Sequence, residues 1–251
     1  GRADVTTATL RRAEQGGDVR TTEVNAILVD IDDCILPTNG SPPENFYEGL
    51  EDLASVILHA NIGTFVPVGF CTGRDRNYVE ACAFFAGLPR SLCVIESGIA
   101  LFNPSTKEML LNPALTLEVR AAFEEIRRTR LPRLLERFPQ LFDYPGNMVN
   151  IALERRHGVD TLIDVYYEAV KEELEDLEQQ GLLVVHHSLI AVDISPVGQD
   201  GMPIDKGSGV RFLAHKTGID PSNMLGIGDS RGDFSTFETV GMVGCPSNAS
   251  E

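Results

Sequence analysis

The chain has 251 residues, 43% of them hydrophobic and 23% charged, a balance that fits a large globular domain or a core with an insert and excludes a disordered or fibrous chain. Its formal charge of −16, from 21 Lys and Arg against 37 Asp and Glu, repels the phosphates of nucleic acids and anionic membranes. No apolar run reaches the roughly 18 residues that span a bilayer. Cys34, Cys71, Cys82, Cys93 and Cys245 form no Cys-x-x-Cys pair and read as buried thiols of a reducing compartment.

Residues 1–23 are polar and rich in Arg and Thr, with no apolar signal core. They read as an N-terminal extension that packs poorly, on a chain expected to be cytoplasmic. The apolar run 26–29 then ends in Asp30-Ile31-Asp32 and breaks at Cys34, Pro37, Asn39 and Gly40, which predicts a buried strand. Ending a buried strand in paired carboxylates is costly unless something binds them. The C-terminal edge of a parallel sheet is where ligands of such folds sit. One carboxylate suits attack on phosphorus and cation binding, and the other suits proton transfer. Alone, Asp-x-Asp also reads as a plain loop start or a calcium-type loop.

Residues 44–60 show helical spacing at Phe46, Leu50, Leu53, Val56 and Ile57. A strand is expected at 64–71, a helix at 75–88 and a third strand at 91–95. This βαβαβ rhythm predicts a doubly wound parallel sheet. The second strand runs into Cys71-Thr72-Gly73-Arg74. A hydroxyl beside backbone N–H groups at a helix start suits a phosphate oxygen; a threonine N-cap looks the same.

The middle changes character. A short strand at 107–111 precedes a helix over 116–137 that Pro132 interrupts. A strand at 148–153, a long helix at 159–179 and a strand pair at 182–187 and 189–194 follow. Residues 102–201 therefore read as an inserted α/β cap, with Gly, Pro and Asn at its edges. Residues 24–101 and 202–251 remain as the core. Alternation resumes with a helix at 206–217, a strand at 223–227, a short helix at 233–240 and a strand at 242–244. Lys206 opens its helix against the dipole preference, which nearby carboxylates or a phosphate would relieve; a solvated lysine is the alternative. In Gly226-Ile227-Gly228-Asp229-Ser230-Arg231-Gly232-Asp233 an apolar strand again ends in an acid, with a second acid shortly after. Asp30, Asp32 and Asp229 on adjacent strand ends would offer an oxygen shell to a hard cation such as Mg²⁺.

In this order, Asp-x-Asp, strand-terminal Thr, Lys and Gly-Asp-x-x-x-Asp resemble the motifs of the haloacid dehalogenase-like phosphatases. The insert between Thr72 and Lys206 resembles the large α/β cap of subclass IIB, the Cof-type, sucrose-phosphatase-like and archaeal phosphoglycolate-phosphatase-like group. Glu96-Ser97-Gly98 resembles the family's Glu-Asn-Gly, and Cys245-Pro246-Ser247-Asn248-Ala249 its late Asn-Ala segment. The resemblance covers residues 26–249. It implies an α/β fold, a Rossmann-like doubly wound parallel sheet carrying an inserted α/β cap that selects the substrate.

The resemblance also implies roles. Asp30 would be the nucleophile that forms an aspartyl-phosphate, and Asp32 the acid and base. Thr72, Gly73 and Lys206 would hold the phosphoryl group. Asp30, Asp32, Asp229 and Asp233 would serve Mg²⁺, Asp32 through its carbonyl and Asp233 through water or by orienting Lys206. On the cap, Arg155, Arg156, His157 and His187 are the candidates for substrate choice; solvated turns would look alike. Asp33, Cys34, Ser97 and Gly232 depart from the family's usual residues. The implied partner is a small phosphorylated metabolite, a sugar phosphate first and phosphoglycolate second, with no nucleic acid and no membrane; a homodimer stays open. A phosphomutase or an inactive binding protein on the same fold are the rival readings.

Overall fold

The structure, a computed structural model, describes residues 8–11, 21–37, 44, 46–188 and 190–249. The expected turn at Asn39 and Gly40, the strand start at Leu189 and most of the extension lie outside the described residues. The chain divides into two compact units, residues 1–110 with 206–251, and residues 111–205.

In the first unit, β1 (Ala8–Arg11) and β2 (Thr21–Val24) pair antiparallel. A hairpin therefore stands within the extension that the sequence suggests is poorly packed. The strand β3 (Ala26–Val29) leads into the Asp30 segment, and α1 (Phe46–Asn61) follows. Next come β4 (Val68–Phe70) and α2 (Arg76–Phe85). Asp75 caps α2, its side chain accepting from Asn77 N at 2.7 Å. Thr72 is thus not the cap of that helix. The antiparallel pair β5 (Cys93–Ile95) and β6 (Ala100–Phe102) comes next, then β7 (Met109–Leu111).

The second unit opens on α3 (Leu117–Glu125), capped by Thr116 through Val119 N at 3.2 Å. A π-turn over Ile126–Arg130 joins it to α4 (Leu131–Arg137). Pro132 lacks an N–H, and the helix accommodates it by widening one turn instead of breaking. An antiparallel sheet of order β10-β11-β9-β8 follows, built from β8 (Leu141–Asp143), β9 (Ile151–Arg155), β10 (Leu183–His187) and β11 (Ala191–Pro196). The long helix α5 (Ile163–Gln179) buries Tyr166, Val170 and Leu174 and packs on β10 and β11. Alternate strand residues, among them Ile151, Leu153, Leu183, Val185, Val192 and Ile194, are buried, as expected of a sheet with one covered face.

The chain returns to the first unit with α6 (Lys206–Thr217), β12 (Met224–Ile227), α7 (Phe234–Thr239) and β13 (Met242–Gly244). The main sheet has the order β13-β12-β3-β4 and is parallel throughout. A parallel bridge between Cys71 and Val94 carries it on to β5. Ile57, Val79, Cys82 and Ala83 of α1 and α2 pack with Val29, Val68 and Phe70. Val210, Phe212 and Leu213 of α6 pack with Ala26, Leu28 and Val94. Neighbouring residues of β3 thus join different helix layers, which makes the sheet doubly wound. Among the described residues, no helix is long and apolar enough to cross a membrane.

Candidate active site

The register of the main sheet determines which side chains meet. Ile227 is aligned with Val29, and Val29 with Phe70. The chain leaves all three strands at one edge, so Asp30, Thr72 and Asp229 emerge together. Asp30 N–H donates to Ile227 O at 2.8 Å, and Cys71 N–H to Val29 O at 2.9 Å. The parallel ladder thus extends to the first residue of the site. Asp30 is only 5% exposed, and its Oδ1 accepts from Ile31 N at 2.8 Å.

Lys206, 7% exposed, comes from across the fold at the first residue of α6. Its Nζ lies 2.9 Å from Asp30 Oδ2 and donates to Asp233 Oδ1 at 2.7 Å. These are the acids that make a lysine tolerable at a helix start. Two glycines allow α6 to come this close. A Cβ on Gly207 would meet Ser235 O at 2.3 Å, and one on Gly209 would meet Val94 Cγ1 at 2.4 Å and Gly98 Cα at 2.7 Å.

Asp233 is almost fully buried and serves as an internal acceptor. Its Oδ2 receives Asp229 N at 3.1 Å, Ser230 N at 3.2 Å and Ser230 Oγ at 3.4 Å. The spacing Ser230-x-x-Asp233 is that of a capping box, a local signal beside the expected contact with Lys206. Gly228 makes room for it, since a Cβ there would sit 2.3 Å from the Asp233 carboxyl carbon.

Carboxylate oxygens of Asp30, Asp229 and Asp233 can all lie within 4.8 Å of one another. Burial, then the Asp233 charge, push Asp30 up to about 6 against the pull of Lys206. Asp229 is raised by burial and by the charges of Asp233 and Asp33. Burial disfavours the Lys206 cation, but the Asp30 and Asp233 charges outweigh it and hold the ammonium well above its ordinary range. One cation among three crowded acids leaves negative charge unbalanced. An all-oxygen donor set of this kind suits a hard divalent ion such as Mg²⁺. Cys34 Sγ lies 3.9 Å from Asp229 Oδ1, and burial followed by the Asp30 charge keeps it a neutral thiol.

Thr72 is fully buried. Its N–H donates to Val94 O at 3.0 Å, its carbonyl accepts from Ser97 N at 3.1 Å, and its Oγ1 accepts from Arg74 N at 3.2 Å. Gly73 is exposed on the loop that follows. The turn Glu96-Ser97-Gly98 beneath this loop is left-handed at each residue, with φ of 48°, 51° and 95°. Its amides grip the loop at Thr72 O and at Arg74 O, the latter at 2.9 Å from Glu96 N.

Asp32 is not among the clustered acids. Arg74 binds it bidentately, Nε to Oδ2 at 2.8 Å and Nη2 to Oδ1 at 3.1 Å, and Tyr78 OH donates to Oδ1 at 3.4 Å. The guanidinium also lies over the Tyr78 ring, 5.1 Å from its centre. Sequence alone gives neither Arg74 nor Tyr78 a role; Arg74 precedes Asp75, the cap of α2, and Tyr78 lies in the first turn of that helix.

The cap candidates all lie in the second unit. Arg155 Nη1 donates to Thr161 O at 2.8 Å and Arg156 Nε to Pro139 O at 3.1 Å. His157 is exposed in the turn after β9. His187 packs against Tyr167 with the rings tilted by 51° and their centres 4.7 Å apart, and its Nε2 lies 3.5 Å from Asp164 Oδ1.

Known proteins are similar to this chain in sequence and in fold. Residues 149–251 match the model of a family described as haloacid dehalogenase-like hydrolase. A phosphoglycolate phosphatase of Methanopyrus kandleri is 27% identical over 187 residues, 74% of this chain and 72% of that protein. A haloacid dehalogenase-like hydrolase from Bacteroides thetaiotaomicron superposes with a TM-score of 0.61 at 17% identity, over 91% of this chain and 90% of that one. The sucrose-phosphatase of Synechocystis, solved with sucrose and phosphate, superposes with a TM-score of 0.57 at 19% identity, over 90% and 83% of the two chains. With its parallel sheet and its convergent acids, the chain is similar to the haloacid dehalogenase-like hydrolases, in the sequence of residues 149–251 and in its fold, and to a phosphoglycolate phosphatase over 187 residues.

Proposed function

We propose that the protein is a Mg²⁺-dependent phosphomonoester hydrolase working through an aspartyl-phosphate on Asp30. The observation that carries this reading is the Lys206 ammonium held between Asp30 and Asp233 on the strand edge that also presents Asp229. A buried carboxylate with one oxygen toward a fixed cation is an oriented nucleophile. Asp30, Asp229 and Asp233, with the carbonyl of Asp32, would hold the divalent ion, which when bound neutralises charge on the phosphoryl oxygens.

Asp30 forms a bond to phosphorus while the ester bond breaks, and Asp32 supplies a proton to the leaving oxygen. Water then displaces Asp30 and gives a proton back to Asp32, which regenerates both groups. Lys206 and the Thr72-Gly73 loop hold the phosphoryl group through the transfer, so positioning and charge supply most of the rate.

The substrate on this reading is a small phosphorylated metabolite. A sugar phosphate fits the resemblance to sucrose-phosphatase. Curated relatives from Methanopyrus kandleri and Haloarcula marismortui are both named phosphoglycolate phosphatase, which moves phosphoglycolate to the front of the compounds to test. Residues 102–201 are the proposed cap, and substrate choice is assigned to Arg155, Arg156, His157 and His187. The test is phosphate release from phosphoglycolate, sugar phosphates, phosphoglycerates and nucleotides, with Mg²⁺ and with EDTA. Release is expected only with the metal, and Asp30→Asn is expected to lower it at least about 10³-fold while the protein stays folded. A folded Asp30→Asn protein with wild-type turnover would sink the mechanism.

A further inference from the structure

The Asp32 carboxylate is held by groups to which the mechanism above gives no task. Arg74 takes both of its oxygens, through Nε at 2.8 Å and Nη2 at 3.1 Å, and Tyr78 OH adds a third donor at 3.4 Å. A bidentate fork fixes the plane of a carboxylate as well as its place, which a single lysine contact does not. The fork is itself fixed. Its backbone donates to Thr72 Oγ1 at 3.2 Å and accepts from Glu96 N at 2.9 Å, and its guanidinium rests on the Tyr78 ring. The Asp32 and Arg74 side chains are both about a quarter exposed, so solvent reaches the pair.

We propose that Arg74 is the positioning residue for Asp32, its fork braced by Tyr78 and by the Glu96-Ser97-Gly98 turn. It holds the carboxylate oriented to take the proton of the water that hydrolyses the aspartyl-phosphate. In that step the water oxygen bonds to phosphorus and the bond from phosphorus to Asp30 breaks. Its electron pair returns to the Asp30 carboxylate, and the proton of the water passes to Asp32. Proton transfer needs heavy atoms within about 2.6–3.2 Å, a condition that a side chain free to rotate meets only part of the time. The inference rests on the aspartyl-phosphate reading and deepens it.

The experiment uses 4-nitrophenyl phosphate, whose leaving group departs without a proton, so that only the hydrolytic half needs Asp32. In Arg74→Ala, rapid mixing is expected to show a burst of nitrophenolate approaching one per active site. The steady rate that follows falls about 10–100-fold. KM falls with kcat, leaving kcat/KM within about twofold. Added ethylguanidinium restores kcat, and Arg74→Lys recovers less. A burst reduced in amplitude with KM unchanged would mean a structural role, and a raised KM with lowered kcat/KM would mean a substrate ligand; either overturns the proposal. Acid-quenched wild type, compared with Asp30→Asn, separates the two levels. Absence of phosphate covalently bound to wild type removes the aspartyl-phosphate reading and this inference with it. Bound phosphate alongside an unchanged Arg74→Ala overturns the inference alone.

Discussion

Asp30 is 95% buried although the proposed role of nucleophile needs it ionised, and burial pushes it up to about 6. The native state therefore binds its proton more tightly than an unfolded chain, whose aspartate titrates near 3.8. Stability from this group is fully present below about pH 4 and is lost as pH rises through about 6. Asp30→Asn removes that loss. The unfolding free energy of the variant minus that of the metal-free wild type is expected to grow by up to about 3 kcal/mol from pH 4 to pH 7, measured by urea denaturation. A difference that stays flat with pH would show that Lys206 fully compensates Asp30. On the proposed mechanism, Asp30 is thus a residue kept for chemistry at the expense of stability.

At the scale of elements, the site depends on how closely α6 approaches β5 and α7. Gly209 touches no reacting group, yet a Cβ there would collide with Val94 and with the backbone of Gly98. Gly209→Ala is expected to destabilise by about 1–3 kcal/mol and to lower kcat by about tenfold through displacement of Lys206. Denaturant melts alongside turnover would check both, and wild-type values for each would show that α6 adjusts without moving its first residue.

The same scale shows what was readable beforehand. β3, β4, β12 and β13 announce themselves as apolar runs ending in turn formers, and the long helices by their spacing. The three-residue strand β8 lies between Pro139 and Pro145 with one alternation of pattern, too short to distinguish from loop. The helix α5 begins at Ile163, not at 159; Gly158, with its φ of 82°, belongs to the turn after β9. Asp30, Lys206 and Asp229 are visible because each violates a local rule, an acid ending a strand or a cation opening a helix, and Asp233 by its spacing of four from Asp229. The contact of Arg74 with Asp32 spans 42 positions and violates none. Only the folded arrangement of β3 and the β4 loop reveals it.

For the whole molecule, a charge of −16 adds self-repulsion to the compact state, which added salt screens. A divalent cation that binds the Asp30, Asp229 and Asp233 cluster acts by mass action instead. At a hundred times its Kd it stabilises by about 2.7 kcal/mol, or roughly 5–10 °C in Tm for a chain of this size. Thermal melts in MgCl₂ and in NaCl of equal ionic strength should therefore differ, and Asp229→Asn should erase the difference. Equal melts in the two salts would leave only screening and remove the cation from the site.

The central strand of the first unit has a history as well as a place. β3 lies between β4 and β12, yet it leaves the ribosome long before its second neighbour. At roughly 5–20 residues per second, the interval before residues 224–227 emerge is about 10–40 s. Throughout it, Ala26–Val29 presents an apolar strand with an open edge, the kind that pairs with other chains. Of the acids that come to surround Lys206, only Asp30 exists during that time. A nascent chain stalled within the insert should therefore be held by chaperones or aggregate, and it acquires a finished sheet and a finished site in the same event.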